Sequence, residues 1–283
     1  MPELITMTDI IPKFINTSDL YGQYFINEIV DRIKHNKNCM IAIRGQTGEG
    51  KSLSALTLGK VITYELNKQL GLDNVFDINN IFFDMDALLK KINEFAHDYK
   101  RNIRHLGYIY VIDDAGFSLN NQKWQDKYIQ AFGMLSQGYR YLQTISIFTV
   151  PYIDWIENRS RSLLHYLLSH NNAQGNFKVY RYRESERMDK RYKEFPIYEN
   201  KQLEEIQFDM PDENFITEYE NKKAEFMSNY LENALQIAID SKKPKGNKFI
   251  CSLCGTEYYK DVNKSHCPKC NKLNYKVDLQ SQE

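Results

Sequence analysis

The sequence has 283 residues, of which 42% are hydrophobic, and its 37 Lys and Arg balance its 37 Asp and Glu to a formal net charge of zero. This length allows one large domain, or one large domain with a small appendage, and the zero net charge by itself gives no argument for a nucleic-acid partner. No apolar stretch is long enough to cross a bilayer, and no signal-peptide pattern opens the sequence. We therefore expect a cytoplasmic protein, in the host cytoplasm if it is viral, without membrane insertion.

Hydrophobic patterning in the first part of the chain predicts helices that alternate with strands. We expect a helix within residues 1–38, where apolar residues recur at helical spacing, and then a short buried strand over 39–43. A helix over 52–70 would end at Gly71, a residue favoured at helix C-termini. A further helical pattern covers residues 84–99.

The alternation continues through the middle of the chain. Residues 108–112 form a continuous apolar run rich in β-branched and aromatic side chains, which predicts a central parallel strand. The next patterns predict helices over 123–139 and 152–169 and strands over 142–150 and 177–183. Strands that alternate with helices indicate a mainly parallel α/β sheet.

The last part of the chain differs in composition. Residues 212–240 predict a long polar helix with one apolar stripe, and 242–248 form a basic linker. From 242 to 276, nine lysines stand against two acidic residues, whereas residues 199–240 are acidic. A basic tail on an acidic body indicates contact between the tail and a polyanion, or an ordinary solvated surface.

The strongest motif is the glycine-rich turn between the first predicted strand and the helix after it. It fits the pattern G-x-x-x-x-G-K-[ST] without departure. Its residues, called the phosphate loop below, are Gly45, Gln46, Thr47, Gly48, Glu49, Gly50, Lys51 and Ser52. In such a loop the backbone N–H groups surround an anion, and the helix N-terminus adds partial positive charge. Lys51 would reach the β- and γ-phosphates of a nucleotide, and Ser52 would ligate Mg²⁺. The alternative is a glycine-rich turn before an ordinary helix.

Two aspartates, Asp113 and Asp114, directly follow the predicted strand over 108–112. Parallel strands place their carboxyl ends at the edge of the sheet where ligands bind. There Asp113 would hold the magnesium shell, and Asp114 would orient or deprotonate the attacking water. Their position after the phosphate loop in an α/β pattern favours this role, although strands commonly end in Asp.

The strand over 142–150 should lie beside the strand over 108–112. Its carboxyl end would bring Thr149 near the γ-phosphate as a polar sensor, whereas Gln143 stands at its other end. For both residues, an ordinary structural role in a buried strand is an equal alternative.

These features together resemble the FtsK–HerA class of P-loop ATPases, and within it the zonula-occludens-toxin-like and virus-packaging ATPases of phages, archaeal viruses and plasmids. The resemblance rests on the phosphate loop, the strand ending in Asp113 and Asp114, the stretch 121–124 and the strand ending at 148–151, and it covers roughly residues 40–170. It implies an ATPase that forms a ring, for which we expect a hexamer. Such a ring moves double-stranded DNA through a central pore, or serves DNA packaging or virion assembly.

The resemblance also implies an arginine just before the sensor strand that completes the site of a neighbouring subunit. Arg140 stands in that place, where its charge would stabilise the γ-phosphoryl group in the transition state. Arg159 and Arg161 are rivals, and a surface ion pair is the alternative for all three. The class carries Asp-Glu where this chain has Asp113 and Asp114, a shortening that can displace the catalytic water, so that slow hydrolysis is compatible with the sequence.

Four of the five cysteines form two Cys-x-x-Cys pairs, separated by twelve residues. They are Cys251, Cys254, Cys267 and Cys270. Four thiolates in two close pairs suit a tetrahedral Zn²⁺ ion with a structural role, and the segment resembles a zinc ribbon. Two disulfides, or an iron site with the same ligands, are the alternatives. The lysines and tyrosines around the cysteines suit nucleic acid, and a protein partner fits nearly as well.

The sequence therefore predicts an α/β fold, a three-layer P-loop NTPase sandwich with a mainly parallel sheet, a helical extension and a small C-terminal zinc ribbon. The predicted parts are an N-terminal helical segment (1–38), the ATPase domain (39–198), the helical extension (199–241), the linker (242–248) and the zinc ribbon (249–277). We expect Mg²⁺-dependent ATP hydrolysis coupled to DNA translocation or packaging. The alternatives are an ATP-switched loader or regulatory binding module, a virion-assembly or secretion ATPase that acts on protein, and a small-molecule phosphotransferase, for which the sequence offers no distinct acceptor pocket.

Overall fold

The structure is a computed structural model that describes residues 20–114, 142–156, 161–185, 190–242, 247–260, 262 and 264–275. The predicted helix over 123–139, the stretch 121–124, Arg140 and Arg159 lie outside these residues. The chain divides into two compact units, Met1–Lys223 and Ala224–Glu283.

Helices and strands alternate along the first unit, as the sequence predicts. The α-helices are α1 Leu20–Lys34, α2 Lys51–Leu70, α3 Met85–Lys100 and α4 Glu213–Lys242. The strands before α4 are β1 Cys39–Arg44, β2 Ile81–Phe82, β3 Ile109–Ile112, β4 Ile145–Val150, β5 Tyr166–His170, β6 Asn176–Ser185, β7 Lys190–Glu194, β8 Ile197–Tyr198, β9 Lys201–Gln202 and β10 Glu205–Gln207. The strands after α4 are β11 Asn247–Ile250, β12 Glu257–Lys260, β13 Lys264–His266 and β14 Leu273–Tyr275. Within the described ranges, none of the helices is long and apolar enough to span a membrane.

One mixed sheet organises the first unit. Its strand order is β10-β6-β5-β1-β4-β3-β2, and β7 also pairs with β6. The five strands β2, β3, β4, β1 and β5 run parallel to one another, whereas β6 is antiparallel to β5, β7 and β10. Every residue of β3 and β4 is buried, which is typical of parallel strands covered on both faces. Because β4 lies between β1 and β3, the predicted neighbourhood of the strands over 142–150 and 108–112 is confirmed.

Helices cover both faces of this sheet. On one side α2 contacts β1, β3 and β4 and carries α1. On the other side Leu88, Ile92 and Phe95, which form one stripe of α3, join Tyr110 and Phe148 in a buried cluster. The three layers and the mainly parallel sheet confirm the predicted α/β sandwich of a P-loop NTPase.

The helix predicted over 152–169 is wrong. A 3-10 turn covers Ile153–Trp155, and β5, Tyr166–His170, pairs in parallel with β1. The apolar run that becomes β5 is short, and periodicity alone cannot distinguish such a run from a buried helix segment. The strand predicted over 177–183 is confirmed as β6, although it is antiparallel to β5 and extends over Asn176–Ser185.

The helix predicted over 212–240 is confirmed as α4, and its first turns pack against the sandwich. Asp212 caps the helix, because its carboxylate accepts a hydrogen bond from Phe215 N at 2.9 Å. The same carboxylate pairs with Lys60 of α2. Phe215 packs edge-on against Phe76 with ring centroids 6.0 Å apart. These contacts fix the start of α4 beside α2.

The second unit contains two small hairpins, β11 with β12 and β13 with β14. Phe249 stacks on Tyr258 with ring centroids 5.3 Å apart, and Tyr258 OH donates to Ser265 O at 3.0 Å. The buried cluster here consists of Phe249, Tyr258, Cys251 and Cys267, with Cys270 packed against it. A core of this size is too small to stabilise a fold without a further crosslink.

A substitution at Gly59 of α2 tests the contact between Phe76 and Phe215, through which α4 packs against the sandwich. An added Cβ at Gly59 would lie 2.4 Å from Cζ of Phe76, the ring that contacts Phe215. Glycine to alanine inside a helix normally stabilises a protein, but here the overlap should dominate. We expect Gly59→Ala to lower the free energy of unfolding by about 1–3 kcal/mol in denaturant titration.

The matched control is Lys90→Ala at an exposed position of α3, which we expect to change stability by less than about 0.5 kcal/mol. Combining Gly59→Ala with Phe76→Leu should recover part of the loss, because the smaller side chain leaves room for the methyl group. A Gly59→Ala protein as stable as the parent would contradict this packing.

Candidate active site and candidate metal centre

The phosphate loop joins β1 to α2 through two glycines in the left-handed conformation. Gly48 and Gly50 have φ values of 87° and 82°, which other residues rarely adopt. Gly45 N donates to Val150 O at 3.2 Å and so holds the start of the loop to the end of β4. A Cβ on Gly45 would lie 2.6 Å from Oε2 of Glu49. The motif glycines are therefore required by the turn itself.

Lys51 begins α2, and its side chain folds back across the loop. Its Nζ donates to Gln46 O at 2.7 Å, and the residue is only 5% exposed. Burial lowers the pKa of Lys51, while the nearby carboxylates of Asp114 and Asp113 oppose that shift. The ammonium thus lies within the electrostatic reach of both predicted aspartates.

Asp113 is the centre of the site. It directly follows β3 and is 1% exposed. Its Oδ1 accepts hydrogen bonds from Ser52 Oγ at 2.6 Å and from Thr149 Oγ1 at 2.7 Å. Burial opposes its charged form, but the Lys223 ammonium and the hydroxyl donors outweigh burial and hold the pKa of Asp113 below its usual value. The structure therefore brings Ser52 and Asp113, the two predicted magnesium residues, into direct contact.

Thr149 connects the two aspartates. Its hydroxyl donates to Asp113 Oδ1 and accepts from Asp114 N at 2.8 Å. Thr149 is fully buried, and Asp114 is a non-glycine residue with φ 46°. The structure thus places Thr149 beside the acidic pair, as expected for β4, and its role as a sensor of the γ-phosphate stays a prediction.

Two functional candidates, Tyr219 and Lys223, come from α4 and were not predicted. Tyr219 OH donates to Asp113 Oδ2 at 2.6 Å. Lys223 Nζ donates to Asp113 Oδ2 at 3.0 Å, to Asp114 Oδ2 at 3.1 Å and to Tyr219 OH at 2.9 Å. The only sequence signal is that the two residues are four positions apart and so share one face of a helix. Nothing local indicates which distant strand end that face will meet.

The oxygen atoms at this point fit a magnesium ion. Mg²⁺ takes oxygen ligands and is usually held by one or two carboxylates together with water and substrate phosphates. Ser52 Oγ and the Asp113 carboxylate supply such oxygens, and Asp114 stands beside them. Ser52 and Asp114 line a cleft of about 250 Å³ together with Thr47, Gln174 and Lys223. The cleft therefore combines a phosphate loop with hard oxygen donors.

The other predicted site residues lie elsewhere. Arg161 forms an ion pair with Asp154. An ion pair is the alternative to a catalytic role that the sequence left open for the three arginines. Gln143 lies at the far end of β4, where its Nε2 donates to Asn36 Oδ1 at 2.9 Å. Arg140 lies outside the described residues, and its role stays a prediction.

The four C-terminal cysteines form a candidate metal centre in the second unit. Their Sγ atoms all lie within 4.8 Å of one another. Cys251 and Cys270 are 3.4 Å apart and Cys254 and Cys267 are 3.6 Å apart, whereas a disulfide bond measures about 2.05 Å. All four are free thiols rather than two disulfides. The donor set and its spacing fit a tetrahedral ion with thiolate ligands.

The two cysteine turns repeat the same backbone pattern. In one, Gly255 N donates to Cys251 O at 2.9 Å, and in the other Asn271 N donates to Cys267 O at 2.9 Å. Gly255 and Asn271 both have positive φ, as their residue types favour. Amide N–H groups also point at sulfur, with Leu253 N 3.4 Å from Sγ of Cys251. Such N–H donors orient thiolates toward a metal.

No protein-family model matches the sequence, and no curated protein sequence matches it. Among solved structures, the chain is similar to the ORC2 protein of Aeropyrum pernix, with a sequence identity of 11% and a TM-score of 0.35. The similarity covers 53% of this chain and 47% of the ORC2 chain. It is also similar to EssC (ATPases 2 and 3) from Geobacillus thermodenitrificans, with 12% identity, 71% and 44% covered, and a TM-score of 0.36. A KaiC-like protein from Pyrococcus horikoshii shows 14% identity, 62% and 89% covered, and a TM-score of 0.33. Likenesses this distant assign neither a family nor a function.

The cysteine centre predicts a metal content. The full chain, purified without chelator, should carry about one zinc ion, because four thiolates fill the four positions of tetrahedral zinc. The double variant Cys254→Ser with Cys270→Ser should lose the ion, and metal analysis of the purified protein measures it. The buried Cys39 lies outside the centre, so Cys39→Ala is the control that should keep the metal. If the parent protein contains one iron ion per chain, the centre is an iron site. If the parent protein contains no metal, the four cysteines are not a metal centre.

Proposed function

We propose that this chain binds ATP with Mg²⁺ and hydrolyses it. The observation that carries the proposal is the 2.6 Å contact between Ser52 Oγ and Asp113 Oδ1. It joins a phosphate loop at a helix N-terminus to a buried carboxylate at the end of a parallel strand, although the two residues are 61 positions apart. That combination is the one required to hold the phosphates of a nucleotide together with their metal ion.

In this proposal each side chain acts at a stated point. The loop amides and Lys51 bind the β- and γ-phosphates, and Ser52 and Asp113 would hold Mg²⁺, which neutralises phosphate charge when bound. Asp114 orients the attacking water or takes its proton. An arginine from a neighbouring subunit, for which we propose Arg140, stabilises charge in the transition state.

We propose further that hydrolysis is coupled to double-stranded DNA in a ring of identical subunits, with a hexamer as the expected state. The resemblance to FtsK–HerA ATPases supports this, as does the basic C-terminal module, where Tyr275 is 70% exposed and lysines flank the cysteines. Zinc would fold that module. An ATP-switched loader, or an assembly ATPase that acts on protein, is the alternative.

Steady-state ATP hydrolysis with and without double-stranded DNA tests the proposal. Lys51→Ala should lower turnover by about 100-fold or more, because it removes the cation from the phosphates. Lys90→Ala, at an exposed position of α3, is the control and should hydrolyse ATP like the parent. Thermal unfolding of both variants shows that they are folded.

The outcomes separate the rival functions. DNA-stimulated turnover that disappears in Lys51→Ala supports a DNA-coupled ATPase. ATP binding without DNA stimulation contradicts the motor and favours a switch or an assembly ATPase. Failure of the parent protein to bind ATP contradicts the whole proposal.

Asp114 can be tested apart from nucleotide binding. Asp114→Asn removes the charge that would accept the proton of water but keeps the size and the tolerance of a positive φ. We expect turnover to fall by about 100-fold or more, with ATP affinity within about threefold of the parent. Single-turnover hydrolysis and a nucleotide-binding titration measure the two quantities. Unchanged turnover would assign the water to another group.

A further inference from the structure

The carboxylate of Asp113 has no acceptor position to spare. An ionised carboxylate offers about four lone-pair positions. In Asp113 they receive hydrogen bonds from Ser52, Thr149, Tyr219 and Lys223. Its side chain is 0% exposed, so water does not compete for them. A metal ion that is to reach this carboxylate must therefore displace one of the four donors.

Lys223 is the donor that a metal ion would displace. Its ammonium lies 3.0 Å from Asp113 Oδ2 and 3.1 Å from Asp114 Oδ2, and so bridges two neighbouring carboxylates as a divalent cation would. Burial disfavours the charge on Lys223, but the attraction of Asp113 and the Tyr219 hydroxyl outweighs burial and raises its pKa. Ser52 and Thr149 are neutral hydroxyls, and a hydroxyl can donate to a carboxylate while its oxygen still accepts. Tyr219 is a neutral hydroxyl as well, so of the four donors to Asp113 only Lys223 carries a positive charge that repels Mg²⁺.

The helix behind Lys223 is anchored independently of this contact. Lys222, the preceding residue, donates to Ile78 O and Ile81 O at 2.7 Å each. The cap at Asp212 and the packing of Phe215 hold the first turns of α4. The Lys223 side chain can therefore leave the carboxylates by rotating its flexible stem while this part of the helix stays in place.

We propose that the Lys223 ammonium holds the place of Mg²⁺ between Asp113 and Asp114 and is displaced when the metal arrives together with a nucleotide. The inference rests on the proposed function, because it assumes that this cleft takes Mg²⁺ with nucleotide phosphates. Free Mg²⁺ meets a carboxylate pair whose negative charge Lys223 partly compensates, and a like charge between the two carboxylates, and therefore binds weakly. With a nucleotide, the phosphates bring additional ligands for the metal and a new counter-charge for the ammonium, whose side chain lines the same cleft as the phosphate loop. Lys223 therefore selects the metal–nucleotide complex over the free metal.

Binding of Mn²⁺ to the full chain, measured by electron paramagnetic resonance, tests this inference. Mn²⁺ accepts the same oxygen ligands as Mg²⁺. Lys223→Met keeps much of the apolar stem and removes the charge, so we expect free Mn²⁺ to bind about tenfold more tightly than to the parent. Lys223→Arg keeps the charge and should bind free Mn²⁺ as weakly as the parent. Lys90→Met is the control for the loss of a lysine charge, because Lys90 lies at an exposed position of α3, and it should leave Mn²⁺ affinity unchanged.

A second measurement adds adenylyl imidodiphosphate, an ATP analogue that is not hydrolysed. We expect the difference between Lys223→Met and the parent to shrink when Mn²⁺ binds with this analogue. A Lys223→Met protein that is folded by thermal unfolding and binds free Mn²⁺ no more tightly than the parent would overturn the inference. If the parent binds Mn²⁺ with the analogue in that case, the proposed function stands and only the role of Lys223 fails. If the parent binds neither free Mn²⁺ nor Mn²⁺ together with the analogue, the proposed function fails as well.

Discussion

A carboxylate without access to water must be compensated inside the protein, because an unpaired buried charge costs on the order of several kcal/mol. Asp113 meets this constraint with donors from three separate parts of the chain: Ser52 is the last residue of the phosphate loop, Thr149 lies near the end of β4, and Tyr219 and Lys223 belong to α4. The loop, the central strand and the start of the C-terminal helix are thus held in a single arrangement. A change in any of them alters the electrostatics of the same two carboxylate oxygens.

The parts of the site that could be predicted are those with short-range signals. The phosphate loop is contiguous, and its glycines are dictated by the turn. Asp113 follows an apolar, β-branched and aromatic run that favours a buried strand, and the four cysteines occur in two tight pairs. In each case the residues that act together are neighbours in the chain, or are placed by one simple rule, the carboxyl edge of a parallel sheet. The same rule places Thr149 near Asp113, since β4 lies beside β3 and is parallel to it.

The rest depended on packing between distant segments. Tyr219 belongs to the helix predicted over 212–240, and its hydroxyl donates to a carboxylate 106 positions earlier in the chain, a contact that no local pattern indicates. Lys223 resembles any surface lysine on a polar helix until α4 is placed over the end of β3. The helix predicted over 152–169 failed for a related reason, because pairing with β1, rather than the local pattern, makes Tyr166–His170 a strand. Sequence patterns describe one helix or strand at a time, whereas these features depend on contacts between two elements that are distant in the chain.

The left-handed backbone at Asp114 bears on the identity of the residue itself. At φ 46°, aspartate and asparagine are among the few residue types with a side chain that are readily accommodated, because the short polar group can make local hydrogen bonds. Glutamate lacks that advantage and would add strain of about 1 kcal/mol or more. The presence of aspartate at this position is therefore matched by the local chain conformation. An exchange of aspartate for glutamate here would therefore bear on the backbone conformation as well as on the reach of the carboxylate.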